Sequence, residues 1–209
     1  MISLRTAILV PALVALGLAH GASSFAAPAE PQLDGRAIVE SMSASVLSTL
    51  RAGADRPTRE ARFRELYRRY FDNAGTAAAA IGPALQAATP KQRRKALRVF
   101  EDYVVAVYSA RLVNYSGVKL VVLNVEPAGD GEVVTSELIS PNPRGEDLEV
   151  KWRFARVGGE LKVRDVVVDK ISMVLTARRA FSQWLAERGG TLDGLVGKLR
   201  EEIATVPDR

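Results

Sequence analysis

At Val118 the spacing of apolar residues changes from helical to alternating, and that change restricts the fold more than any other feature. Before it, apolar residues recur at three and four: Ile38, Met42, Val46 and Leu50; then Phe63, Leu66, Tyr67 and Tyr70; then Leu97, Phe100, Val104, Val107, Tyr108 and Leu112. Such spacing lines one face of a helix. After it, Leu148, Val150, Trp152 and Phe154 alternate with Glu149, Lys151 and Arg153, the pattern of a half-buried strand. A helix-rich N-terminal half followed by hairpin-connected strands predicts an α+β fold with an antiparallel sheet.

Local signals bound the elements. Gly53 closes a first helix over Gly35 to Arg51, and Thr58 is placed to cap a second, whose Arg62, Arg64, Arg68 and Arg69 are read as solvent-facing. The Ala-rich stretch from Ala74 to Gln86 is broken at Gly82-Pro83. Thr89-Pro90-Lys91-Gln92 offers Thr as N-cap, Pro at the first helical position and Gln at the third, a strong start for the longest helix, which ends near Asn114 to Gly117. Val118 to Val125, Glu132 to Ile139, the strand from Leu148 and Leu161 to Val168 make four strands, with Pro127 to Gly131 as a hairpin loop and Gly158-Gly159 as a turn. Two helices close the chain. Ser172 to Arg188 turns Phe181, Trp184 and Leu185 inward, and Thr191 caps a second carrying Leu192, Leu195, Val196, Leu199 and Ile203.

Residues 1–26 read as a cleaved secretory signal, with Arg5 before the apolar run Ala7 to Leu18 and Ser24-Phe25-Ala26 as a small-x-small site. An uncleaved anchor fits less well, because Pro11 interrupts the run and it falls short of the roughly 20 residues a bilayer span needs. No internal repeat or linker divides the remainder, so residues 27–209 are expected to form one domain. Cleavage removes one of 29 basic residues and none of the 24 acidic ones, lowering the net charge of +5 by one. The cations are scattered among acids without aromatic interleaving, which argues against nucleic acid as a partner.

The single histidine, His20, falls in the leader, and cysteine is absent. The mature chain therefore has no imidazole base, thiol nucleophile, disulfide or usual zinc ligand set, and no metal or cofactor is expected. Nor does it contain a Gly-x-Ser-x-Gly elbow, a Ser-x-x-Lys pair or a phosphate-cradling glycine loop. Asp72 and Asp165 lie among apolar residues, but a lone carboxylate is a thin basis for acid-base chemistry.

Several spaced pieces together resemble one family. Asp165 on a strand runs into Ile171-Ser172-Met173-Val174 and a helix start bearing Arg178 and Phe181; Phe71-Asp72 follows an aromatic-rich helix; Ala88-Thr89-Pro90-Lys91-Gln92-Arg93 precedes the long helix, whose tail carries Tyr108, Leu112, Tyr115 and Gly117. Val134-Thr135 lies near where that family has a "Val-x-Thr" strand. These residues are similar to those of the MlaC or toluene-tolerance auxiliary family of periplasmic phospholipid shuttles, with HpnM-type proteins as relatives, and the likeness spans about Ile38 to Ile203. Three departures stand out: Leu161 for the usual Trp, Lys170 for the Gly before Ile-Ser, and Ala177 for the Tyr before Arg178.

The resemblance implies a curved four-stranded antiparallel sheet with C-terminal helices packed on it around an apolar cavity. It implies a monomeric, non-enzymatic periplasmic carrier that binds phospholipid acyl chains. Such a carrier passes lipid between an inner-membrane ABC-type transporter complex and an outer-membrane lipoprotein-porin complex, maintaining outer-membrane lipid asymmetry. A hopanoid or other polycyclic terpenoid is the alternative cargo; a small-molecule enzyme using Asp72 or Asp165 as base and a purely structural adaptor are the alternatives in other classes.

The residues expected to line a lipid pocket are Val104, Val107, Tyr108 and Leu112 of the long helix, Leu148, Val150, Trp152 and Phe154 of the clean strand, and Met173 and Val174 beyond the turn. Periodicity marks a buried face without saying whether protein or cargo touches it. Asp165 and Arg178 are expected to form a structural polar pair at the strand-to-helix turn.

Overall fold

A computed structural model describes residues 34–142, 145–187 and 190–207; the expected leader and the Gly189 that was to end the penultimate helix lie outside them. Helices α1 (Gly35–Arg51), α2 (Arg56–Tyr70), α3 (Asn73–Ile81), α4 (Pro83–Gln86) and α5 (Pro90–Leu112) precede the strands. Strands β1 (Lys119–Ala128), β2 (Gly131–Ile139), β3 (Leu148–Val157), β4 (Glu160–Val168) and β5 (Ile171–Ser172) form one antiparallel sheet in sequential order. Helices α6 (Met173–Glu187) and α7 (Leu192–Ala204) follow. The expected four-stranded sheet thus gains a fifth, two-residue strand, because the chain after β4 folds back through a tight turn before entering α6.

That turn holds Asp169 and Lys170 at φ of 46° and 66°, the left-handed backbone that a two-residue hairpin of this twist demands and that glycine adopts most cheaply. Lys170 stands where the similar family has glycine, so this chain makes the turn at a steric cost. The hairpin between β1 and β2 is also tighter than expected: Pro127 and Ala128 remain paired, leaving only Gly129-Asp130 to turn.

The helix starts follow their caps. Thr89 and Gln92 form the anticipated capping box at α5, and Thr191 caps α7. At α2 the cap is Asp55, not Thr58; the Thr58 N–H donates to the Asp55 carboxylate, and Pro57 occupies the first turn. The α2 arginines also differ from expectation, since Arg64 reaches Glu101 and Asp102, and Arg68 reaches Glu101, fastening α2 to α5.

Two bulges interrupt the sheet. One leaves Leu123 out of register on β1; the other leaves Arg164 out on β4, where Arg153 pairs with Asp165 but Phe154 pairs with Val163. An extra residue reverses the alternation of the bulged strand. Val163 therefore shares a face with Val166 and Val168, across from Phe154, Trp152 and Val150.

The interior divides into two packed clusters. One is helical, formed where Ala77, Ile81 and Leu85 meet Phe100 of α5, Phe181 of α6 and Leu195 and Leu199 of α7. The other joins Ile38, Val39 and Met42 of α1 and Leu66 and Tyr70 of α2 to Val134, Phe154 and Val163 of the sheet. These clusters supply the burial that holds the fold without covalent staples.

Candidate functional site

A cavity of about 380 Å³ borders both clusters, within the range of roughly 300–1,000 Å³ typical of small-molecule sites. Helix α1 contributes Met42, Val46, Leu47 and Leu50; α2 contributes Phe63, Leu66 and Tyr67; α5 contributes Val104, Tyr108, Arg111 and Leu112. The sheet supplies Leu120, Leu138, Val150, Trp152, Val166 and Val168, and the start of α6 closes one side with Met173 and Val174. Most of these side chains are only half-buried although they face inward, so the cavity communicates with solvent.

Seven of the ten expected residues line this space: Val104, Tyr108, Leu112, Val150, Trp152, Met173 and Val174. Phe154 does not. It lies past the Arg164 bulge, opposite Val163, in the solid cluster beneath α1 and α2. Leu148 precedes the last β3–β4 pair, Val150 with Val168, so it sits beyond the wall that β4 completes. Val107 is half-buried on α5 but does not border the cavity, which Val104, Tyr108, Arg111 and Leu112 of the same helix line.

The wall stays apolar because its polar atoms are paired within it. The Trp152 indole N–H donates to Ser136 Oγ at 2.9 Å, and Ser136 Oγ–H donates to the Val150 carbonyl at 3.2 Å. Ser136 is fully buried, and a buried indole N–H without an acceptor would be costly. In the sequence Ser136 is one more small polar residue in a strand, and only the register beside Trp152 reveals its use. Burial pushes the phenol of Tyr108 above its ordinary range, with Asp165 adding to the rise against the opposing Arg111, so the group facing the cavity is neutral.

Asp165 and Arg178 do not pair with each other, which corrects the expected polar pair. Asp165 Oδ2 accepts from Ser172 Oγ at 2.7 Å and Oδ1 accepts from the Val174 N–H at 3.2 Å, while Ser172 Oγ accepts from the Leu175 N–H at 3.0 Å. Together they satisfy backbone donors that the start of α6 leaves free. A more distant Arg153 guanidinium, 3.5 Å away, completes the surroundings of Asp165.

Arg178 instead donates to the Ala79 carbonyl at 3.2 Å, in the last turn of α3, where a cation is favoured by the helix dipole. Its guanidinium covers Gly82, whose φ of 72° and lack of a side chain make room for it. The Ala-rich stretch broken at Gly82-Pro83 forms α3 and α4 as its composition suggests, but sequence spacing does not show this approach of Arg178.

Asp72 caps α3 through the Gly75 N–H at 2.9 Å and binds Arg164 Nε at 2.8 Å, while Phe71 bridges to Val163. The Phe71-Asp72 element thus fastens the helices to the bulge, and its carboxylate is occupied by structural bonds. Among the described residues no group of three or more His, Cys, Asp or Glu is placed to hold a metal ion, and no helix is long and apolar enough to cross a membrane.

The cavity's setting has counterparts in known proteins. Residues 40–201 match the family model described as MlaC protein. The chain is 25% identical over 127 residues to the intermembrane phospholipid transport system binding protein MlaC of Haemophilus influenzae, covering 59% of this chain and 58% of that one. It is 26% identical over 117 residues to the toluene tolerance protein ttg2D of Pseudomonas putida, covering 56% and 54%. The chain thus spans just over half the length of these curated relatives. A solved structure of a phospholipid-binding protein from Ralstonia solanacearum, in complex with a phospholipid, shares the fold at a TM-score of 0.71 and 23% identity, covering 83% of this chain and 99% of that one.

Proposed function

The chain belongs to the MlaC family, and from that premise we propose that it is a non-enzymatic carrier holding the acyl chains of a phospholipid in the cavity beneath α5 while the headgroup stays in water. The observation that carries this reading is the cavity itself: about 380 Å³, open to solvent, walled by apolar side chains from α1, α2, α5 and the sheet. The Haemophilus influenzae relative named for phospholipid transport and the phospholipid-bound protein of the same fold support it.

The physical need is plain. At about 0.8 kcal/mol per methylene, an acyl chain of some 14 buried methylenes is worth on the order of 11 kcal/mol, so lipids do not cross water unaided at useful rates. A carrier has to offer a dry surface of comparable apolarity and leave the charged headgroup hydrated, since burying it would cost several kcal/mol. The contacting surface is Val104, Tyr108, Leu112, Val150, Trp152, Met173 and Val174, with Met42, Leu66, Leu138, Val166 and Val168. The thioethers of Met42 and Met173 adapt to chains of differing shape.

On this reading the protein works as a monomer in the periplasm, exported by the leader in residues 1–26. It collects lipid at one membrane-bound complex and delivers it at another, the inner-membrane ABC-type transporter and the outer-membrane lipoprotein-porin complex. Protein purified from a bacterial host is expected to carry co-purified phospholipid, seen by organic extraction and mass spectrometry. Protein that is lipid-free and also refuses lipid from vesicles would refute the reading, and a co-purified hopanoid would replace the cargo.

A further inference from the structure

Two arginines line the cavity, and they differ in one respect. Arg164 is neutralised by Asp72 at 2.8 Å. Arg111, in the last turn of α5, has no carboxylate or carbonyl partner among the described residues; its guanidinium lies over the Tyr108 ring, 5.4 Å from the centroid. Other arginines near the cavity helices are committed elsewhere: Arg62 to Glu65, Arg64 to Glu101 and Asp102, Arg68 to Glu101, and Arg178 to the Ala79 carbonyl. Arg111 is exposed although it lines the cavity, so it stands at the rim, beside half-buried Leu112 and Tyr115.

A phospholipid whose chains lie among Val104, Tyr108 and Trp152 has to bring its phosphodiester out at such a rim. Guanidinium is the side chain best matched to phosphate, offering planar paired donors and weak hydration. Stacking on Tyr108 holds the fork in place at little entropic cost and leaves its edge donors unused.

We infer that Arg111 is the phosphodiester-binding residue of the carrier, a specificity-determining group that separates phospholipids from uncharged lipids with the same chains. This rests on the carrier reading above. The favourable charge at the α5 C-terminus explains why an arginine is tolerated there; its position on the cavity rim without an anionic partner gives it the second role.

The test loads wild type, R111Q and R111K from vesicles of neutral carrier lipid doped equally with phosphatidylglycerol and the diacylglycerol of identical chains, followed by extraction and quantification. Wild type is expected to take up phosphatidylglycerol over diacylglycerol by roughly tenfold, as a charge-assisted contact at a partly exposed site allows. In R111Q the ratio of phosphatidylglycerol to diacylglycerol taken up falls to near one, and R111K retains part of the wild-type preference. A ratio near one in wild type, or an undiminished ratio in R111Q, overturns the assignment while leaving the carrier standing; wild type that loads neither lipid defeats the carrier reading itself. Inorganic phosphate, followed by the Arg111 side-chain NMR signal, forms the second arm. Saturable phosphate binding without lipid discrimination would reassign the site to free phosphate.

Discussion

The face of the sheet beneath the helices ends differently at its two ends, though the residue types are nearly the same. At one end Val134, Phe154 and Val163 are sealed by Ile38, Val39, Leu66 and Tyr70. At the other, Val150, Trp152, Val166 and Val168 look into the cavity. Both ends are apolar strand surface, so hydrophobicity alone does not separate core from binding site. What separates them is the Arg164 bulge, with Asp72 clamped on it.

That contrast is open to attack by substitution. Phe154→Ala empties a packed site and is expected to lower the unfolding free energy by about 3–5 kcal/mol, whereas Val166→Ala on the cavity wall costs about 1 kcal/mol or less; equal losses in denaturant titrations would mean that both ends are packed alike. Ser172→Ala removes both a cap of α6 and a partner of Asp165, with an expected loss of about 1–2 kcal/mol. A melting temperature unmoved by it would show that the turn is held by other contacts.

Val104→Phe, which adds volume to the open end, is expected to change stability by less than about 1 kcal/mol while cutting phospholipid uptake severalfold. A strongly destabilised variant would indicate that no free space is there. Lys170→Gly relieves the φ of 66° and is expected to stabilise by about 0.5 kcal/mol, measurable as a small rise in melting temperature; a fall would mean the lysine makes a compensating contact.

Much of this was readable in the residues, and the reasons differ by region. The α5 start was legible because Thr89, Pro90 and Gln92 act on backbone groups within one turn, and β3 because its alternation is undisturbed. The β4 alternation was misleading: LKVRDVVV reads as Val163, Asp165 and Val167 on one face, and the bulge that puts Val163 with Val166 and Val168 depends on partners far along the chain. Phe154 shares the face of Trp152 on β3, and the alternation of that strand alone does not show that it packs in the solid cluster and not in the cavity.

The sequence suggests a structural role for Asp165 and Arg178, but their partners, Ser172 and Ala79, follow from how α3 and α6 dock. Leu148 and Val107 show the limit of periodicity, which identifies a buried stripe but not which of its residues border the cavity.

The chain's two tryptophans report the two kinds of interior: Trp152 stands in the cavity wall, while Trp184 packs against the helical cluster over Gly194. The decisive measurement is fluorescence quenching by phospholipid with brominated acyl chains in W184F and W152F, each retaining one indole. Acyl chains in the cavity predict strong quenching of Trp152 and little of Trp184. Loading of the same lipid with Trp152 unquenched, or with both indoles quenched alike, would contradict the account.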